Sequence, residues 1–167
     1  SLFSISSDLT GADASPDISG LIGQYAHGNE PSHHTIYLYS VLGRQSKAAP
    51  LLRQVMTELY HAAPDGLSGN EDAGQMSAWY LLTALGLYQV EPAGGRYYFG
   101  SPIIDAAELS VRDGHFTIRV HDNSAENIYI QRIRLNGGDY TKRYLDYEDI
   151  ARGGILDIYM GSEPRDF

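Results

Sequence analysis

The chain contains no cysteine. That excludes disulfides, thiol nucleophiles and cysteine-held zinc together. It leaves the compartment open, because exported and cytosolic proteins can both lack the residue. Positive charge is scarce: 12 Lys and Arg stand against 21 Asp and Glu, a net charge of −9. A phosphate backbone or an anionic lipid surface needs a basic face, so charge argues against both nucleic acid and membrane docking. No apolar run approaches the roughly 18 residues of a membrane-crossing helix. The first residues lack the basic-then-apolar pattern of an export signal, which is expected upstream if the parent protein has one. There is also no Gly-x-Ser-x-Gly elbow, phosphate-binding glycine loop, internal repeat or low-complexity tract.

What is present suits a folded chain. Hydrophobic residues make up 43% of 167 residues, enough for a real core. The length fits one ordinary domain, or a small domain fused to part of another.

Two polar loops organise the first half. One reads Gly28-Asn29-Glu30-Pro31-Ser32-His33-His34. The other runs from Pro64 to Gln75 and contains Gly69-Asn70-Glu71-Asp72. Each stops where a helical pattern begins. Helix one is expected over 33–42, with Ser32 as N-cap and Gly43 as stop. Helix two is expected over about 48–62, with Pro50 in its first turn and an apolar stripe of Leu51, Leu52, Val55, Met56, Leu59 and Tyr60. Helix three is expected to start after Asp72, to carry Met76, Trp79, Tyr80, Leu82 and Leu85, and to end at Gly86. Three short-linked helices run up, down and up, so the starts of the first and third share one end. Both polar loops should then face one pocket.

Before these loops the pattern is irregular. Thr10 to Asp17 is turn-rich, and Ile18, Leu21, Ile22 and Tyr25 suggest a short buried turn of helix. After Pro92 the period changes to two. Tyr97-Tyr98-Phe99, the alternating runs at Leu109 to Val111 and Phe116 to Val120, and the later apolar runs read as strands. Asp113-Gly114 and Asn136-Gly137 mark hairpin turns. The expected class is α+β, with a helical region over 1–92 and an antiparallel, sandwich-like β region over 93–167. Three helices alone bury little, so the helical part must pack on the β part or be incomplete.

Asp72 carries two readings. With Gln75 three residues later it matches a capping box, a purely structural role. A carboxylate at a helix N-terminus is also stabilised as the anion, which suits a general base or a cation ligand rather than a general acid. Glu30 reads either as a solvated loop carboxylate or as part of a loop dense in groups that bind sugars and ions. His33 and His34 are adjacent, lack His-x-x-x-His spacing and do not make a zinc pair. Oxygen-rich loops suit a hard cation better, although no EF-hand spacing is present. Trp79 and Tyr80 lie at helical spacing with apolar neighbours and read as core. Asp146, Glu148 and Asp149 read as a solvated edge.

Asp17-Ile18-Ser19-Gly20-Leu21-Ile22-Gly23-Gln24-Tyr25-Ala26-His27-Gly28-Asn29-Glu30-Pro31-Ser32-His33-His34 resembles a signature of glycoside hydrolase family 92. So do Gly69-Asn70-Glu71-Asp72-Ala73-Gly74-Gln75-Met76-Ser77-Ala78-Trp79-Tyr80 and the later Gly100-Ser101-Pro102. The resemblance implies a calcium-dependent, exo-acting α-mannosidase, often α-1,2-specific, working by inversion in bacteria that consume glycans. It implies the last helices of an (α/α)6 barrel followed by C-terminal β structure. Asp72 matches the family's catalytic base. Asn70 stands at a neighbouring position that is acidic in some members and is an amide here. Asn29, Glu30, His33, His34 and Glu71 are implied to line the substrate pocket, with Glu30 and Asn29 facing calcium. The family's general acid belongs to an upstream motif absent from these residues. The implied partners are a mannose-containing glycan and the upstream remainder of the parent enzyme, without which the chain is expected to be inactive. The implied location is outside the cytoplasm, in the periplasm or on the cell surface of a bacterium. The alternative from the residues themselves is a non-catalytic carbohydrate-binding or structural β-module.

Overall fold

Residues 18–28 reverse direction as a strand pair, not as the expected turn of helix. In the computed structural model, which describes residues 1–8 and 18–167, β1 (Leu21–Ile22) pairs antiparallel with β2 (Tyr25–Ala26). Gly23 makes this possible with φ +60, and an added Cβ there would lie 2.5 Å from the Leu2 carbonyl oxygen. The turn-rich stretch from Thr10 to Asp17 lies outside the described residues.

Helix one is mostly replaced by tighter turns. A 3-10 turn spans Glu30–Ser32, and only α1 (Leu38–Val41) is α-helical. The amides of His33, Thr35, Leu38 and Tyr39 reach back three residues rather than four. Pro31 sets the first turn, and β-branched Thr35 and Ile36 favour an α-helix weakly. Ser32 is not its cap. Its hydroxyl donates backwards to the carbonyls of Ala26 and Asn29. Gly43 ends the segment as expected, at φ +70.

The next helix, α2 (Gln45–Glu58), starts earlier than expected, so Pro50 falls inside it, on the exposed side. Ala48, Leu52, Val55 and Met56 are buried, while Leu51, Leu59 and Tyr60 pack at the margin of the same cluster. The third helix, α3 (Gln75–Ala84), buries Met76, Trp79, Thr83 and Ala84. Gly86, at φ +82, ends the helical segment.

Two sheets follow. In chain order the strands are β3 (Leu87–Tyr88), β4 (Arg96–Phe99), β5 (Ala106–Val111), β6 (Gly114–His121), β7 (Tyr129–Leu135), β8 (Gly138–Asp139) and β9 (Tyr144–Asp146). After β9 come α4 (Tyr147–Ala151) and β10 (Gly154–Gly161). One sheet has the order β3-β4-β9 and the other β5-β6-β10-β7-β8. The all-antiparallel expectation is corrected at one pair: β10 inserts between β6 and β7 and runs parallel to β6. The chain leaves the large sheet through β9 and α4 and re-enters at its centre, the kind of crossover a parallel neighbour requires. Phe116, Ile118 and Val120 alternate with Leu156, Ile158 and Met160 on the inner face. Leu87, Phe99 and Leu145 of the smaller sheet pack against them.

Arg53 of α2 ties the helices to the strand loops. Its Nε donates to Ser101 Oγ at 2.9 Å, and its Nη2 donates to the Pro102 carbonyl and to Asn123 Oδ1. Gly100 lies so close to Tyr37 and Leu52 that an added Cβ would come within 2.9 Å of the Tyr37 hydroxyl. The Gly100-Ser101-Pro102 motif is thus a joint between helix and sheet. Among the described residues no helix is long and apolar enough to cross a membrane.

Candidate active site

The two polar loops meet backbone to backbone. An added Cβ on Gly28 would lie 2.3 Å from Ser19 Oγ and 2.6 Å from the Ser68 carbonyl oxygen. One on Gly69 would lie 2.9 Å from the Gly28 carbonyl oxygen. No side chain fits between the loops, which is the physical need for glycine at both positions.

Beneath them lies a buried aromatic scaffold whose protons can be placed by elimination. Tyr60 Oη donates to the Met76 carbonyl at 3.1 Å, so it accepts from His27 Nε2–H at 2.7 Å. His27 Nδ1 is therefore the acceptor for the Tyr25 hydroxyl, 2.8 Å away. His33 Nε2 meets the His27 carbonyl at 2.9 Å and must donate, leaving Nδ1 to accept from Gln75 Nε2 at 3.0 Å. Trp79 Nε1 donates to the His33 carbonyl at 3.1 Å. The His27 ring stacks on His33 at 4.5 Å and meets Trp79 edge-on at 4.3 Å. Burial, reinforced by His33, pushes the His27 pKa down to about 3, and burial also lowers that of His33. Both rings are neutral near pH 7, and all four ring nitrogens are occupied.

Of the pocket residues read from the sequence, His33 is therefore fully buried in this scaffold, where it positions the loops, while His34 is exposed. The core reading of Trp79 holds, and Tyr80 packs on Tyr60 at its margin. Tyr25, Tyr60 and Gln75 were not singled out as site residues. Tyr25 and His27 stand two apart on a strand-like segment and so share a face, a spacing visible in the sequence itself.

The capping box expected at Asp72 and Gln75 does not form. Gly74, not Asp72, precedes the first residue of α3, and the Gln75 side chain turns to His33. The Gln75 N–H meets the Asp72 carbonyl at 3.2 Å, and Glu71 takes the next two amides of α3: its carbonyl accepts from Met76 and its Oε1 from the Ser77 N–H at 3.1 Å. The Ser77 side chain and amide hold the Glu71 carboxyl below the usual range. Asp72 behaves oppositely. Its carboxyl faces Glu30 across the two loops, and that contact, with the like charge it carries, raises the Asp72 pKa. Asp72 is exposed; Glu30 is half-buried, and its Oε1 has no hydrogen-bond partner. Asn29 and Asn70 are exposed on the same two loops.

Calcium can be tested against these groups. Two facing carboxylates and an orphaned buried Glu30 oxygen are hard oxygen donors, and they fit in kind. Among the described residues they form only part of a shell, since no three His, Asp or Glu side chains gather at one point. Away from the site, Glu148 pairs with Arg112 at 2.9 Å, and Asp149 accepts from the Asp146 N–H.

Asp72 and Glu30, on two loops carried by a neutral, fully bonded aromatic scaffold, make up the candidate site, on a chain of mixed helices and sheets. The chain belongs to the family described as Glycosyl hydrolase family 92 catalytic domain, which it matches over residues 2–162. The family GH92 alpha-mannosidase BT3965 from Bacteroides thetaiotaomicron, in complex with mannoimidazole, superposes with a TM-score of 0.89 and 38% identity, covering 98% of this chain and 22% of that one. The family GH92 inverting mannosidase BT2199 from the same organism gives 0.78 and 42%, covering 85% and 19%. A protein described as an uncharacterized secreted glycosidase from Arthroderma benhamiae is 30% identical over 145 residues, 81% of this chain and 18% of its own length. The chain thus spans about a fifth of the length of the relatives it matches.

Proposed function

We propose that this chain is the C-terminal part of the catalytic domain of an α-mannosidase that removes terminal α-1,2-linked mannose from glycans by inverting hydrolysis. Family membership supports the reaction class, and the neighbours named as mannosidases support the sugar. The observation that carries the site is the close meeting of the two polar loops at Gly28 and Gly69, which brings Asp72 and Glu30 to one place.

Asp72 is the base that takes a proton from the attacking water. Its raised pKa brings it nearer the working pH, where a base is most effective. Glu30 is not the acid. Inverting enzymes separate acid and base by roughly 6.5–9.5 Å to admit water, whereas Glu30 lies near enough to Asp72 to raise its pKa, which leaves little such gap. The acid and the remaining pocket walls come from the rest of the catalytic domain, and the isolated chain is inactive. Asn29 and Glu30 would hold calcium, which when bound supplies positive charge to gather the mannose hydroxyls. His34 and Asn70 stand on the same loops and line the sugar pocket. The location we assign is outside the cytoplasm, in line with the relative described as secreted.

The test is release of mannose from α-1,2-mannobiose by this chain and by the complete catalytic domain, each with calcium and with chelator. Turnover only by the complete domain, and only with calcium, is expected. Turnover by the chain alone would overturn the assignment of the acid.

A further inference from the structure

Asp72 opens three consecutive residues in the left-handed region, with φ of +46, +55 and +93 at Asp72, Ala73 and Gly74. Glycine adopts this region freely, but Asp72 and Ala73 must be held there by contacts. One is the Gln75 N–H bond to the Asp72 carbonyl at 3.2 Å, and two more belong to Glu71. Its carbonyl accepts the Met76 N–H at 3.3 Å, and its Oε1 accepts the Ser77 N–H at 3.1 Å. The Ser77 amide belongs to the first turn of α3, whose N–H groups have no partner inside the helix. One residue therefore closes a ring, from 71 to 77, around the left-handed segment. The Asp72 side chain is left pointing at Glu30.

We propose that Glu71 is the positioning residue for Asp72, acting through its bond to the Ser77 amide and not as a charge presented to sugar or cation. The proposal rests on the reading of Asp72 as the base. Two substitutions separate reach from charge. Glu71→Gln keeps an acceptor oxygen at the same reach and loses the charge. Glu71→Asp keeps the charge and loses the reach.

Mannose release would be measured for both variants and for Asp72→Asn in the complete catalytic domain. Glu71→Gln should retain kcat within about threefold, and Glu71→Asp should lose about tenfold or more in kcat with little change in KM, as displacement of a base demands. The reverse order, with Glu71→Gln the more damaged, overturns the proposal in favour of a charge role. Full activity of Glu71→Asp overturns it as well. Near-normal turnover by Asp72→Asn is a different failure, that of the base reading itself. Amide hydrogen exchange in this chain gives a readout independent of turnover. Ser77 should exchange about tenfold faster in Glu71→Asp and near the parent rate in Glu71→Gln. Unchanged Ser77 exchange in Glu71→Asp removes the clamp whatever the kinetics show.

Discussion

Glu30 and Asp72 come from two different loops, yet their carboxyl groups face each other closely enough for Glu30 to raise the Asp72 pKa. Two like charges at contact do not both ionise freely. Asp72 is therefore harder to ionise beside Glu30 than it would be alone, and the consequences can be measured.

Asp72→Asn should reduce mannose release by the complete catalytic domain by about 10²–10⁴-fold, the usual contribution of a general base. The side chain is exposed and caps nothing, so folding should be preserved. Parallel turnover and thermal unfolding measurements check both halves, and near-normal turnover would remove Asp72 from the reaction.

The carboxyl pair also has a sign in stability. Asp72 has a folded-state pKa above its unfolded value, so the folded state favours its protonated form. Its stabilising contribution is present at low pH and lost as pH rises through the folded pKa. In calcium-free buffer Asp72→Asn and Glu30→Gln should each raise the melting temperature at pH 7. The gain should shrink as the pH falls and Asp72 takes up its proton. Glu30→Gln should also move the acid limb of the pH–rate profile to lower pH, because Asp72 then ionises more easily. A limb that stays in place would show that Glu30 does not set the base.

The buried histidines run the other way. His27 is held neutral down to about pH 3, whereas in the unfolded chain it gains a proton near pH 6.5. Between those values the unfolded state binds the extra proton, so stability falls on acidification by up to about 1.4 kcal/mol per pH unit for this group. Urea unfolding of this chain at pH 7, 5.5 and 4 should show the slope. His27→Asn should flatten it while lowering stability at pH 7, and an unchanged slope would show that His27 is not the group responsible.

Arg53, half-buried, and Arg44, exposed, offer a comparison of joint and surface arginines. Arg53 makes bonds to Ser101, Pro102, Asn123 and Ser124 at the helix–sheet joint. Arg44 makes an exposed pair with Asp166 at 3.2 Å. Arg53→Ala should cost about 2–3 kcal/mol because it strands partners of a charged donor. Arg44→Ala should cost under about 1 kcal/mol. Chemical denaturation of the two variants decides it, and equal losses would mean the joint is not a stabilising contact.

Local chemistry was legible where one residue type settles the backbone. Asn136-Gly137 forms the tight turn the pair announces, with φ of +51 and +82 and Leu135 opposite Gly138. Gly43 and Gly86 stop their helical segments for the same reason. Strand periodicity placed Phe116, Ile118 and Val120 on one face because side chains alternate whatever the neighbouring strand is. The acidic loops, the absence of cysteine and the two signature stretches were likewise properties of the sequence alone.

Tertiary structure decided what depends on distant partners. Whether α3 is capped by Asp72 or Glu71 turns on where Glu30 and His33 lie, and both belong to another loop. The same holds for His33, whose burial comes from Trp79 and Gln75 closing over it. The place of β10 between β6 and β7 could not be read from its alternation, because an inner strand looks the same beside a parallel or an antiparallel neighbour. A repeat of two or 3.6 fixes which face of an element is apolar. The positions of two carboxylates on separate loops are fixed only when the chain between them has folded.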